Sequence, residues 1–195
     1  LEVKAHRKII SIFILVFIFL VAAGLGVNAL NQADPDRDQF NCYTILVGKK
    51  ASADGSVMIA HNEDDYGEII VNVRKIAPKN YGQEVKINLG QGGVYETSGQ
   101  VNGFLWIEAT EQEFADSFIN DQGVVITSNS CPSREEGEDF TAGGIGYMLR
   151  RIVAEKAHSA REAVELAGEL IEKYGYRSSG RTYSIADKNE AWLLA

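Results

Sequence analysis

The chain has few of the side chains that bind metals or build disulfide frameworks. Its 195 residues include three histidines, at positions 6, 61 and 158, which fall at no metal-ligand spacing, so we expect no metal site. Two cysteines, Cys42 and Cys131, are too few for a disulfide framework. The glycine-rich stretch at residues 90–103 is not followed by a helix start, which disfavours a phosphate-binding loop. We therefore expect no cofactor.

Basic side chains are also scarce after the first 41 residues. Residues 42–195 hold 15 lysines and arginines against 23 aspartates and glutamates, and they carry the whole net charge of −8. Binding to nucleic acid requires a basic surface, so this balance argues against a nucleic-acid partner. The same stretch is long enough to bury one hydrophobic core.

A long apolar run follows a basic flank at the start of the chain. Lys4, Arg7 and Lys8 precede residues 9–27, in which a single serine is the strongly polar exception. This pattern is typical of a signal peptide or signal anchor, which we assign to residues 1–29. We therefore expect the body to be exported, to an extracellular or cell-envelope location. Contact with a membrane is expected only through this segment.

Two further stretches bear on the organisation of the chain. Residues 30–41 are polar and have no packing period, so they are interpreted as a linker. The chain begins with leucine and ends within residues 191–195, which resemble the middle of a buried strand. We therefore expect residues 42–195 to be the N-terminal part of a longer domain.

A β-hairpin is predicted where the polar linker ends. Residues 42–48 form an apolar strand that begins with Cys42, and residues 57–60 form a second one. The polar segment between them contains Asp54-Gly55, a frequent turn signal. A polar and acidic cluster, residues 61–65, follows the second strand. Because the loop is long, the sequence alone leaves open whether Cys42 lies near this cluster.

The rest of the body combines strands with two helices. The alternation of apolar residues predicts strands over residues 69–76, 85–89, 104–107 and 124–127, a loop over 90–103 and a second hairpin over 182–194. Helical spacing predicts one helix that opens at Gly143–Gly146 and runs to Lys156, and a second between Ser159 as N-cap and Gly175. Arg150 and Arg151 are interpreted as a solvated face of the first helix. Periodicity alone supports a mixed α and β fold.

Residues 42–64 closely resemble the N-terminus of mature cysteine-type dipeptidases, which belong to the N-terminal-nucleophile hydrolases. Secernins, penicillin V acylases and bile salt hydrolases are relatives. Residues 160–163 and 184–193 resemble the same dipeptidases. The resemblance implies an α+β fold, the αββα sandwich of these hydrolases, incomplete at the C-terminus because residues 42–195 correspond to roughly the first third of a family member. It also implies that residues 30–41 are a propeptide, removed by autoprocessing.

The resemblance further assigns roles to single residues. Cys42 would become the N-terminal nucleophile, Asp64 would orient its amine, and His61 would occupy a place where many relatives have arginine. A turn at residues 120–123 precedes a strand that in the relatives delivers an asparagine to the oxyanion hole, which implies Asn129 here. The spacing is one residue shorter than in bile salt hydrolases, so the residue after Asn129, a serine, competes for this assignment. A disulfide between the two cysteines would disable the nucleophile and is not expected.

Three functions remain open from the sequence. The first is hydrolysis of peptide bonds in short peptides by a thiol peptidase that forms a homo-oligomer. The second is hydrolysis of N-acyl amides, as in penicillin V acylases and bile salt hydrolases. The third is a catalytically silent, secernin-like protein, against which Cys42 argues.

Overall fold

Twelve strands and two helices occur in the part of the chain that the computed structural model describes, which comprises residues 42–63, 71–89, 92–109, 114–131, 142–177 and 180–195. The strands are β1 Tyr43–Val47, β2 Met58–Asn62, β3 Val71–Ile76, β4 Lys79–Asn80, β5 Val85–Asn88, β6 Val94–Thr97, β7 Gln100–Val101, β8 Phe104–Ala109, β9 Phe114–Asn120, β10 Val125–Ser130, β11 Arg181–Ala186 and β12 Ala191–Leu194. The helices are α1 Met148–Lys156 and α2 Ala160–Tyr174. This sheet-rich mixture confirms the mixed α and β prediction.

The predicted hairpin at the start of the body is confirmed. Strands β1 and β2 pair antiparallel, with Tyr43 opposite Asn62 and Val47 opposite Met58. Gly55 adopts a φ of 76°, a conformation that glycine tolerates and other residues rarely adopt. The turn also holds itself together, because the Ser52 hydroxyl donates a 2.7 Å hydrogen bond to a backbone oxygen four residues later.

The main sheet has six strands in the order β12-β11-β10-β9-β8-β3, and every neighbouring pair is antiparallel. Side chains alternate between its two faces. One face packs on both helices and supplies the sheet side of the core, for example Phe118, Ile126 and Ile185. From the helices, Leu149 and Ala167 are among the residues that fill the space against them, with no exposed surface. The second predicted hairpin is confirmed as β11 and β12.

Buried asparagines complete the end of α1. The side-chain amides of Asn102 and Asn120 both donate to the carbonyl oxygens of Ala154 and Ala157. The last carbonyls of a helix have no partner within it, so these bonds satisfy acceptors that burial would otherwise leave unpaired. The bonds tie the end of α1 to the segment between β7 and β8 and to the last residue of β9.

The predicted helix boundaries agree with the structure at three of four ends. Ser159 accepts a hydrogen bond from the backbone N–H of Glu162, as a helix N-cap does, and Gly175 ends α2 with a φ of 77°. The first helix ends at Lys156 as predicted but begins at Met148, later than Gly143–Gly146. Gly143 and its neighbour have positive φ angles, which an α-helix excludes.

Two predictions about the body are wrong. Residues 90–103 are not simply a loop, because this stretch contains β6, which pairs with β5, and β7, which pairs with β4. Arg150 is not on a solvated face: its side chain has 0% exposure, and it packs against the main sheet. Its neighbour Arg151 is partly exposed and pairs with Glu155, whose carboxylate is itself buried.

The β1–β2 hairpin lies over the face of the main sheet that is turned away from the helices. Ser128 of β10 contacts Arg150 of α1, and its neighbour Asn129, on the opposite face, accepts a hydrogen bond from Thr44 of β1. Lys49, in the hairpin turn, reaches Asn189 between β11 and β12. The hairpin therefore brings the start of the body onto β10 and the connection between β11 and β12.

No helix within the described ranges is long and apolar enough to cross a membrane. The predicted signal segment 1–29 and the predicted linker or propeptide 30–41 lie outside the described residues.

A stability prediction arises at the first turn of α2. The Asp187 carboxylate accepts hydrogen bonds from the backbone N–H of Ala160, at 2.7 Å, and from those of Asn189 and Glu190. Burial would raise the pKa of Asp187, but these three bonds and the charge of Lys49 lower it overall. A carboxylate with a lowered pKa stabilises the fold above its unfolded pKa, about 3.9, and loses this contribution as pH falls through the folded pKa.

We expect Asp187→Asn to lower the free energy of unfolding by about 1–2 kcal/mol at pH 7, since it removes the charge and one acceptor oxygen. The difference from wild type should shrink at pH 3. Urea unfolding of the full-length protein at both pH values measures this. Asp54→Asn, in the exposed hairpin turn, is the control and should have the smaller effect. An equal loss at both pH values would contradict the assigned role of the charge.

Candidate active site

Four polar side chains share one face of the β1–β2 hairpin. Thr44 lies opposite His61 in the register, and the pairing of Tyr43 with Asn62 places Cys42 opposite Glu63 one step further along. Residues two apart in a strand point to the same side. The register therefore gathers Cys42, Thr44, His61 and Glu63, although a ten-residue connection separates the two strands.

The Cys42 thiol is linked to His61 through the Glu63 carboxylate. Cys42 Sγ donates to Glu63 Oε1 at 3.0 Å, and His61 Nε2 lies 3.0 Å from Glu63 Oε2. The His61 side chain is 9% exposed and that of Glu63 is 31% exposed, so the imidazole is largely buried and the carboxylate remains partly open to solvent. A thiol, a carboxylate and an imidazole thus lie in contact, a combination found where thiols act as nucleophiles.

Asn129 of β10 joins this group through Thr44. Thr44 Oγ1 donates a 2.7 Å hydrogen bond to Asn129 Oδ1, and His61 Nδ1 lies 3.0 Å from the same hydroxyl. The other end of the carboxamide, Asn129 Nδ2, is buried and has no hydrogen-bond partner among the described residues. Ser130, the competing assignment, is exposed and lies on the alternate face of β10. The structure therefore brings Asn129 into the group and leaves Ser130 out of it.

The charge on Glu63 is favoured by its surroundings. Burial would raise the pKa of this carboxyl group, but the hydrogen bonds from His61 and Cys42 and the positive charges of His61 and Arg181 lower it overall. The carboxylate form accepts from both neighbours at once, which a protonated carboxyl group could not do as well. Glu63 therefore holds the thiol and the imidazole in fixed positions.

Two arginines support β10 from behind the site. Arg150 Nη1 donates to Ser128 Oγ at 2.5 Å, and Arg181 Nη1 donates to the same oxygen at 3.1 Å. Both guanidinium groups also lie over the Tyr147 ring, at 5.3 and 5.6 Å from its centroid. Ser128 precedes Asn129, so these contacts fix the backbone from which the Asn129 side chain projects.

Sequence reasoning named three of the residues in or beside this group and missed others. Cys42, His61 and Asn129 are brought together, whereas Asp64 lies outside the described residues. Thr44 and Glu63 were not singled out. Side chains two residues apart on a strand point to the same side, so Thr44 shares a face with Cys42 and Glu63 shares one with His61. Counting two residues on from Cys42 and from His61 would therefore have identified both.

The described residues contain no group of three or more histidine, cysteine, aspartate or glutamate side chains arranged to hold a metal ion. A cavity of about 530 Å³ lies away from Cys42, between the β5–β6 hairpin and α2, and is rich in glutamates, including Glu84, Glu96, Glu165 and Glu169. It includes none of the residues that contact Cys42. The chemistry available at the hairpin is that of a thiol, a carboxylate, an imidazole and an amide.

Comparison with known proteins gives consistent results. A family model described as peptidase family C69 matches residues 41–195. Dipeptidase A of Lactobacillus helveticus is 33% identical over 171 residues, covering 80% of this chain and 36% of the relative. A probable dipeptidase A of Streptococcus pyogenes serotype M1 is 32% identical over 187 residues, covering 83% and 36%. The chain thus spans about a third of the length of these curated relatives.

A solved structure is also similar. Penicillin V acylase from Agrobacterium tumefaciens matches with a TM-score of 0.48 at 9% identity, covering 79% of this chain and 49% of that one. The family match covers all of residues 42–195, the body that the sequence analysis likened to cysteine-type dipeptidases, and it begins one residue before Cys42. The chain belongs to peptidase family C69.

Proposed function

We propose that the protein is a cysteine dipeptidase in which Cys42 becomes the N-terminal residue and hydrolyses the peptide bond of short peptides. The observation that carries this proposal is the joining of Cys42, Glu63, His61, Thr44 and Asn129 in one hydrogen-bonded group, with a buried amide donor left over at Asn129. The dipeptidase names of similar proteins support the substrate class.

The chemistry requires a base for the thiol, and a free N-terminus provides one. A thiol has a pKa near 8.5 and is mostly protonated at neutral pH, whereas an α-amine has a pKa of about 7.7–8.0 and can accept a proton there. While Asn41 is attached, the nitrogen of Cys42 is an amide and cannot do so. Removal of residues 1–41 therefore creates the base beside the nucleophile.

Hydrolysis then proceeds in two stages. The amine of Cys42 takes the thiol proton, Sγ attacks the peptide carbonyl carbon, and the carbonyl electrons move to oxygen. The tetrahedral intermediate collapses to a thioester as the C–N bond breaks, and the proton passes to the leaving amine. Water, deprotonated by the same α-amine, attacks the thioester and releases the acid, and the thiol regains its proton.

The residues around Cys42 take distinct parts in this scheme. Glu63 holds the thiol, and Asn129 Nδ2 donates to the oxygen that becomes negative, as an oxyanion-hole donor does. Asp64 keeps the part that the resemblance gives it, beside the amine. His61, at the place where the resemblance puts arginine in many relatives, contacts the Glu63 carboxylate and the Thr44 hydroxyl.

The proposal extends to the architecture. The β1–β2 hairpin lies opposite the helices across the main sheet, where the second sheet of an αββα sandwich would begin. On that same face, several apolar side chains of β3, β8 and β9 are exposed and would be covered by such a sheet, namely Val71, Val73, Leu105, Ile107 and Ile119. Residues 1–29 would direct export and residues 30–41 would be the propeptide.

The test is N-terminal sequencing of active full-length enzyme from its native host. We expect a start at Cys42, and precursor that retains Asn41 should be inactive because it lacks the base. Purified enzyme is then assayed with dipeptides and with N-acyl amides. Full activity in protein that begins at residue 30 or earlier would contradict the mechanism, and hydrolysis of N-acyl amides alone would contradict the substrate class.

A further inference from the structure

We infer that Thr44 is a positioning residue for the reaction: its hydroxyl, itself held by His61, fixes the Asn129 carboxamide with the NH₂ group available to the substrate oxygen. The inference rests on the proposed function, in which Cys42 is the nucleophile and Asn129 the oxyanion donor. Thr44 and His61 thus act on the reaction through Asn129, and neither residue touches the substrate.

An asparagine side chain needs such a device because its two ends have nearly the same shape. Rotation of the carboxamide by half a turn exchanges the acceptor Oδ1 with the donor Nδ2, and only hydrogen bonds distinguish the two orientations. In the structure Asn129 Oδ1 receives the Thr44 hydroxyl proton at 2.7 Å, which turns Nδ2 away from Thr44. The reversed orientation would present a carbonyl oxygen to a developing oxyanion and repel it.

The direction of the Thr44 hydrogen bond follows from counting protons. A threonine hydroxyl has one proton, and here it points to Asn129 Oδ1. His61 Nδ1, 3.0 Å from the same oxygen, must therefore carry a proton and donate it to Thr44. His61 Nε2 faces the carboxylate Glu63 Oε2 at 3.0 Å and must be a donor as well. In this arrangement His61 donates from both ring nitrogens, to Thr44 and to Glu63.

The result is a chain of donors with one direction. Glu63 holds His61, His61 donates to Thr44, and Thr44 donates to Asn129. If His61 gave up its Nδ1 proton, Thr44 could donate to His61 instead, and the carboxamide would gain from reversing. Glu63, which contacts the Cys42 thiol, therefore also sets the orientation of the Asn129 amide through His61 and Thr44.

Burial supports the same assignment. Asn129 Nδ2 is out of contact with solvent and has no partner among the described residues, although leaving a buried donor unpaired typically costs about 1–3 kcal/mol. Rotation of Nδ2 toward the hydroxyl would relieve that cost, but it would forfeit the hydrogen bond from Thr44 to Oδ1. A substrate carbonyl oxygen that enters the site would supply the missing acceptor, most strongly when it becomes negative.

The experiment compares Thr44→Val, which keeps the shape and removes the hydroxyl, with Thr44→Ser, which keeps the hydroxyl, in full-length enzyme whose N-terminus is confirmed as Cys42. We expect kcat for a dipeptide to fall about 10- to 100-fold in Thr44→Val with KM changed less than threefold. Thr44→Ser should retain kcat within about threefold. Thr97→Val, at a buried threonine of β6 that lines the cavity away from Cys42, is the matched control and should stay within about twofold.

A double variant and a second substitution at Thr44 complete the test. In an Asn129→Ala background, Thr44→Val should have almost no further effect on kcat, because the group that Thr44 positions is already gone. Thr44→Ala removes the hydroxyl without adding a buried methyl contact, so it should reproduce the loss if Thr44→Val folds poorly. Unchanged kcat in Thr44→Val or Thr44→Ala, or full additivity with Asn129→Ala, would overturn the inference. Activity that survives Cys42→Ala would instead overturn the proposed function.

Discussion

Substitution of Cys42 by alanine is expected to abolish dipeptide hydrolysis by the mature full-length enzyme, with a loss in kcat of about 10⁴-fold or more. The thiol sulfur forms the covalent acyl-enzyme, and without it the site retains only its ability to bind and to polarise the substrate. Cys42→Ser should keep the fold, because it replaces one atom, and should still lose most of the turnover, since a hydroxyl is a much weaker nucleophile at neutral pH.

The second cysteine provides a matched control for this experiment. Cys131 is exposed and follows β10, so Cys131→Ala removes a thiol without touching the group around Cys42. We expect its kcat and KM to stay within about twofold of wild type. Initial rates over a range of dipeptide concentrations measure both variants, with thermal unfolding as a check that each one folds. A near-normal rate in Cys42→Ala would sink the nucleophile assignment.

The local part of the site could be predicted from the sequence because it depends on short-range rules. Turn chemistry and β-propensity predict the β1–β2 hairpin, and the structure confirms it. The register could not be predicted, since a ten-residue connection permits several pairings. That register decides whether Cys42 lies opposite Glu63, and so whether the thiol has a carboxylate partner.

Glu63 shows how motif comparison and geometry weigh residues differently. The resemblance to dipeptidases singles out Asp64 for its place in the motif, whereas the structure shows Glu63 in hydrogen-bond contact with both Cys42 and His61. A comparison of motifs records which residues recur, but it does not record which side of a strand they face. Alternation along β2 supplies that information, and it places Glu63 on the side of His61.

Arg150 shows a different limit of sequence reasoning. Helical periodicity assigns charged residues to the solvent face, and two adjacent arginines, Arg150 and Arg151, fit that rule. In the structure Arg150 is fully buried and donates to Ser128, while the Tyr147 ring lies beneath its guanidinium group. Ser128 lies on a strand 22 residues earlier in the sequence, so no local pattern reveals this contact.

Glycine content misled the prediction for residues 90–103. Short strands of two to four residues leave little room for a detectable alternation, and glycine is disfavoured in strands. Yet β6 completes a hairpin with β5, and β7 pairs with β4. Gly93 is needed there, because a Cβ at that position would lie 2.9 Å from the backbone oxygen of Gly144. The glycine therefore marks a close approach of two backbone segments.

The second large effect is expected at Asn129. Asn129→Ala removes the buried amide donor and should lower kcat about 100- to 1,000-fold, the usual cost of one oxyanion-hole donor. KM should change by less than about threefold, because a neutral carbonyl oxygen gains far less from the donor than the oxyanion does. Asn129→Asp should be at least as damaging, since it replaces the NH₂ group with an oxygen that repels the developing charge.

Ser130→Ala distinguishes the two assignments that the sequence left open. Ser130 is exposed and lies on the other face of β10, so its loss should leave kcat within about twofold of wild type. Steady-state kinetics with one dipeptide give kcat and KM for all three variants, each with its N-terminus confirmed at Cys42. A large fall in kcat for Ser130→Ala with Asn129→Ala unaffected would reverse the assignment. A rise in KM at constant kcat in Asn129→Ala would show that the amide binds the ground state, and the oxyanion role would have to be abandoned.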